Sequence, residues 1–139
     1  MTVVRICARP LLASMFIAGG ADAVRRPERL APAARPVVDA LSDLPGVPSR
    51  TVNAVRLNGG VQAASGLMLA AGKLPRLSAA VLACTLLPVT WAGHRFWEAE
   101  DEGERAQQRI HFLKNLSMLG GLLMAAAANE DGHHHLLHR

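Results

Sequence analysis

A chain of 139 residues is the size of one domain and leaves no room for a catalytic module beside a regulatory one. Half of its residues are apolar and only 19% are charged, against about 25% in an average soluble domain, which excludes intrinsic disorder. Cys7 and Cys84, far apart in sequence, exclude a disulfide framework, a CxxC redox pair and a four-thiolate zinc site, while the formal charge of +4 rests on 13 arginines in Pro- and Glu-rich stretches with no tyrosine anywhere, a poor pattern for nucleic acid.

Four apolar blocks carry no charge: Pro10 to Ala21, Leu57 to Gly72, Leu77 to Gly93 and Leu116 to Ala128. The first, with Arg5 and Arg9 before it, predicts a helix over about residues 5–24. Ala21-Asp22-Ala23 also resembles the end of a secretory signal peptide, in which case a mature chain would begin at Val24; Arg9 and three further apolar blocks oppose that reading. The connection from Val24 to Val52 holds Pro27, Pro32, Pro36, Pro45 and Pro48 and cannot be one long helix. Within it, Val37, Val38, Leu41 and Leu44 predict a short amphipathic helix from Pro36 to Leu44, lying on a membrane surface.

A second long helix is predicted over residues 53–72, joined by a tight hairpin to a third over 75–95. The third block, LSAAVLACTLLPVTWAG, decides the solvent. Its only polar side chains, Ser78, Thr85 and Thr90, are scattered around the helical wheel, so the helix must be buried on every side. Its 17 residues span about 26 Å, and flanking Pro75, His94 and Arg95 bring it to the roughly 30 Å of a hydrocarbon layer. A chain this short has too little mass to bury four such helices in water, although each run falls just below the usual spanning length and a soluble helical bundle is the competing fold. An acidic connection from Arg95 to Arg109 leads to a fourth helix over 109–128, and the terminal GHHHLLHR predicts a solvated His-rich tail over 129–139. The expected fold is therefore all-α: an integral membrane four-helix up-and-down bundle over residues 1–128, with one amphipathic segment between helices one and two, in contact with the lipid of the cell membrane.

An up-down-up-down path puts the end of helix one, the start of helix two, the end of helix three and the start of helix four on one side of the membrane. Those ends carry Asp22; Arg56, Asn58 and Gln62; His94, Arg95 and Glu98; and His111, Lys114 and Asn115. Polar groups in lipid must find partners, so one polar pocket at one membrane face follows, with Trp91, Phe96, Trp97 and Phe112 at its level as an aromatic belt or as flat walls for a ring-shaped ligand. The opposite side offers only Arg5, Arg9, Lys73 and Arg76, which read as interfacial anchors. Counting arginines and lysines outside the helices puts the polar side in the cytoplasm.

The stretches RPLLASMFIAGGADAVRRP from Arg9, RLNGGVQAASGLMLAAGKLPRLSA from Arg56, GHRFWE from Gly93 and HFLKNLSMLGGLL from His111 resemble the DoxX family in its actinobacterial form, over roughly residues 5–125. The tail from Asn129 does not. The resemblance implies a small four-helix membrane protein, named for a subunit of a quinol or thiosulfate-quinone oxidoreductase, with some relatives in membrane-associated oxidative-stress complexes. It thus implies an accessory or quinone-interacting subunit of a membrane redox assembly. His111 or Lys114 would donate to a quinone carbonyl, and Asp22 or Glu98 would exchange the proton with water. Expected partners are other redox-complex subunits or a second copy of the chain.

Against this stands the reading in which the same polar side chains only hold the helices in register, at about 0.6 kcal/mol per contact. His94, Glu98 and His111 offer two imidazoles and a carboxylate to a metal, and the tail histidines His133, His134, His135 and His138 could take up nickel or zinc adventitiously. Haem would need two histidines near mid-membrane, whereas His94 and His111 begin near its surface. A non-catalytic scaffold for soluble partners and a small-solute transporter are the competing functional classes.

Overall fold

A computed structural model of the chain describes residues 2–128; the predicted tail lies outside the described residues. Among the described residues the protein is all-helical, with α1 Thr2–Arg25, α2 Pro27–Ala40, α3 Thr51–Ala70, α4 Pro75–Gly93 and α5 Glu102–Ala127. Three of the five, α1, α4 and α5, are long and apolar enough to cross a membrane. Only 17%, 33% and 11% of their most apolar windows is buried inside the protein, so an apolar solvent must cover the remainder. The helix α3 is long enough but less apolar, because Asn53, Arg56, Asn58 and Gln62 interrupt it. Its packing hides part of that polarity: Gln62 is only 8% exposed.

Neighbouring long helices run antiparallel. The pair α1 and α3 meets along a seam of small residues, with Ala13 and Ile17 beside Gly66, Gly20 beside Gly59 and Ala63, and Ala23 over Gly59. A Cβ on Gly20 would lie 2.5 Å from the Gly59 carbonyl oxygen, so this approach needs glycine. Residues Ala71 to Leu74 then turn the chain into α4, with Gly72 at φ +70° and Leu74 at φ 45°, both in the left-handed region. The following Pro75 opens α4, where its missing N–H is no loss. The α4–α5 pair is fixed at its far end by Arg76, whose Nε donates to the Ala126 carbonyl at 3.0 Å. Phe16, Leu69, Leu82, Leu86 and Leu122 form the centre of the core, biased towards the α3–α4 turn.

The amphipathic segment is longer and earlier than the Pro36 to Leu44 expected from its periodicity. Pro27 ends α1, by disfavouring helical backbone at Arg26, and starts α2 in the same step. Pro32 and Pro36 lie one turn apart inside α2 and are both exposed, so the carbonyls they leave without a helical partner fall on one solvated edge. The opposite face, Leu30, Ala34, Val37, Val38 and Leu41, closes over α3 and α4. The acidic connection is likewise shorter than Arg95 to Arg109. The Asp101 side chain accepts from the Glu104 N–H at 2.9 Å, and the negative Glu102 and Glu104 favour a helix N-terminus, so α5 begins at Glu102.

Candidate functional site

The α1 end, the α3 start, the α4 end and the first half of α5 meet at one end of the molecule. Two arrangements occupy it. Between α4 and α5, Asn115, 4% exposed, donates through Nδ2 to the Thr90 hydroxyl at 3.1 Å, and Thr90 in turn donates to the Leu86 carbonyl at 2.8 Å. About one turn farther along, the His94 and His111 rings stack with centroids 5.2 Å apart and planes 19° from parallel. His94 Nδ1 lies 2.9 Å from Gln108 Oε1, an amide oxygen that can only accept, so Nδ1 is the donor of this hydrogen bond. Phe96, Trp97 and Phe112 pack edge to face beside this pair, and Trp91 lies 5.2 Å from Trp97.

The second arrangement is a cavity of about 470 Å³ roofed by α2 and floored by α3 and α4. Its wall is almost wholly apolar. Asn58 and Gln62, one turn apart on α3, and Thr85 on α4 supply its polar side chains. The Gln62 Nε2 reaches the Thr85 carbonyl at a long 3.5 Å. A polar recess of about 500 Å³ lies beyond, between α2, the α4–α5 connection and the start of α5.

The expected site residues therefore separate. Asn58 and Gln62 line the cavity; His94 and His111 stack; Asn115 bonds to Thr90. Asp22 is exposed and lines neither space. Arg56 lies outside the cavity, its Nε donating to the Val24 carbonyl at 3.4 Å and so satisfying the end of α1. Glu98 turns to Arg95, with 3.2 Å between Oε1 and Nη1, and lines the recess instead. Lys114 is half-buried and, like His111, lines neither space. The single pocket expected from the helix ends is thus two spaces and a paired imidazole stack, because α2 inserts over α3 and α4 and not over α5. His94, Glu98 and His111 do not assemble as ligands, and among the described residues no group of three or more His, Cys, Asp or Glu side chains is placed to hold a metal ion.

Three participants escaped the sequence reading. Thr90 was legible as a hydroxyl at the level of Asn115, and the apolar stripe of α2 as a roof needing a floor. Gln108 had no such signal, since it lay in what read as connection.

A family profile matches residues 4–95, which cover α1 to α4 and stop as the α4–α5 connection begins. The chain belongs to the DoxX family. No curated protein and no solved structure matches it. Within the DoxX-matched segment lie the whole α2-roofed cavity, the small-residue seam and His94. Gln108, His111, Lys114 and Asn115 lie outside it, so the HFLKNLSMLGGLL stretch falls beyond the part that carries DoxX membership. This DoxX chain is accordingly a membrane protein with a ligand-sized apolar cavity built within its first four helices.

Proposed function

We propose that the chain is a multi-pass protein of the cell membrane in which α1, α3, α4 and α5 cross as an up-and-down bundle, with α2 at the surface. We further propose that it serves as an accessory, quinone-interacting subunit of a membrane redox or oxidative-stress assembly. Support for four crossings comes from α3 lying against both α1 and α4 with Gln62 buried, and from the antiparallel order of neighbouring long helices. One observation carries the ligand reading: an apolar cavity of about 470 Å³, within the usual range of small-molecule sites, with two neutral amides on one side. A flat lipophilic ring fits such a wall, and neutral amide N–H groups can donate to its carbonyl oxygens without burying a charge. In this reading Asn58 and Gln62 replace His111 and Lys114 as the donors, and a bound quinone supplies the electron carrier for which the chain has no flavin, nucleotide or iron-sulfur motif.

The test is titration of the detergent-purified chain with ubiquinone and menaquinone analogues, followed by thermal shift. A saturable rise in melting temperature is expected, lost in the Asn58→Leu/Gln62→Leu variant and retained in His111→Leu/Lys114→Leu. A flat response to both analogues defeats the quinone reading and favours a scaffold without a lipophilic ligand.

A further inference from the structure

The apolar cavity and the polar recess share three lining residues: Ala33 of α2 and Ala92 and Gly93 of α4. The partition between the two spaces thus includes three residues whose side chains are no larger than a methyl. A Cβ placed on Gly93 would meet nothing within 4 Å, so open space adjoins the partition. From Gly93 the cavity wall continues along α4 to Thr85, a depth of about 12 Å. Beyond the partition the chemistry reverses. The recess, of about 500 Å³, is lined by Glu98, Glu100 and Glu104 with Arg95 and Gln108. Arg95 is already engaged, at 3.2 Å from Glu98 and 3.3 Å from the Trp91 carbonyl. Glu100 and Glu104 enter no ion pair among the described residues. Trp91 and Trp97, in contact at this level and both exposed, mark the membrane interface.

We propose that cavity and recess form one site for a cationic amphiphile. Its amine or quaternary ammonium head rests among Glu98, Glu100 and Glu104, and its apolar body passes Ala33, Ala92 and Gly93 into the space beneath α2. A water-soluble cation would leave the apolar cavity unused, and an anionic lipid would bring its head against the carboxylates. An amphiphile aligned with the bilayer normal meets polar groups at the interface and apolar ones below it, the order found here along α4. The proposal shares the cavity with the quinone reading but requires neither Asn58 nor Gln62.

The full chain in phosphatidylcholine nanodiscs is exposed to two photoprobes with the same alkyl chain and a diazirine at its end, one headed by trimethylammonium and the other by sulfate. Labelled residues are mapped by mass spectrometry. The ammonium probe should label the cavity residues Val61 and Val89 about fivefold more than the sulfate probe, the ratio one screened ion pair can supply. Glu100→Gln/Glu104→Gln should bring the two probes level, and Gly93→Leu should remove cavity labelling by both while the outward Leu113 and Leu123 are labelled as before. Equal labelling by both heads in the unaltered chain, labelling that survives Gly93→Leu, or labelling confined to outward faces overturns the proposal. If Gly93→Leu fails to fold, the isosteric carboxamide pair decides alone. A quinone response without selective ammonium labelling overturns this inference and leaves the quinone reading standing; the converse separates them the other way.

Discussion

Asn115 and Thr90 show what a polar group must do in an apolar surround. Each amide or hydroxyl on the α4–α5 face is satisfied by its neighbour, and among the described residues no buried side-chain nitrogen or oxygen lacks a partner. Thr90→Val should therefore leave the Asn115 amide without its acceptor and lower stability by about 1 kcal/mol in detergent unfolding, whereas Thr90→Ser should be close to neutral. Glycines divide in the same way. A side chain at Gly59 would stand 2.6 Å from the Ala23 Cβ and 2.8 Å from the Gly20 oxygen, while at Gly120 it would meet nothing within 4 Å. Gly59→Val should destabilise by about 3 kcal/mol, and Gly120→Ala should stabilise by about 0.5 kcal/mol, both read as melting temperature. Composition shows all of these glycines alike; only the facing backbone distinguishes them.

Among the elements, α2 and α5 depart most from what periodicity indicates, and for local reasons. Counting prolines as breakers shortened α2, yet Pro27 stands at the first helical position and the other two share an exposed edge, where their lost hydrogen bonds are replaced by solvent. The start of α5 is set by the Asp101 cap, a signal present in the sequence as Asp followed three residues later by Glu. Asp101→Ala should cost about 1 kcal/mol and increase amide exchange over Glu102 to Arg105 with little effect beyond the first turns. The first helix bears on the signal-peptide alternative, because a chain beginning at Val24 would strip α3 of its tightest neighbour and expose Gly59, Gly66 and Leu69. The mature protein is expected to retain α1, which N-terminal sequencing reads directly; a start at Val24 would remove one face of the core.

For the molecule as a whole, the outward faces of α1, α4 and α5 carry Leu11, Met15, Leu77, Leu87, Leu116 and Leu123, each at least 48% exposed, a surface compatible with lipid and not with water. The cations at the polar end and its connections, with Arg25, Arg26, Arg29, Arg35, Arg50 and Arg95 against Arg5, Lys73 and Arg76 at the other, predict that this end faces the cytoplasm. A reporter placed in the α4–α5 connection should be active in the cytoplasm and one at the C-terminus should not; the reverse pattern would turn the acidic recess outward. That the polar helix ends share one side was legible from the order of blocks, since short connections force neighbours to run antiparallel. Which of those polar residues meet was not.

By itself the sequence determined the solvent, the helical class and the family, because charge-free helical stretches admit few surroundings and a hydropathy pattern is a local property. Only the tertiary structure decided that Asn58 and Gln62 border a cavity, that His94 stacks on His111, and that Glu98 belongs to a recess beyond. These depend on where α2 comes to rest. That position is set by shape matching between an apolar stripe and two helices far away in the chain, which no spacing along the sequence encodes.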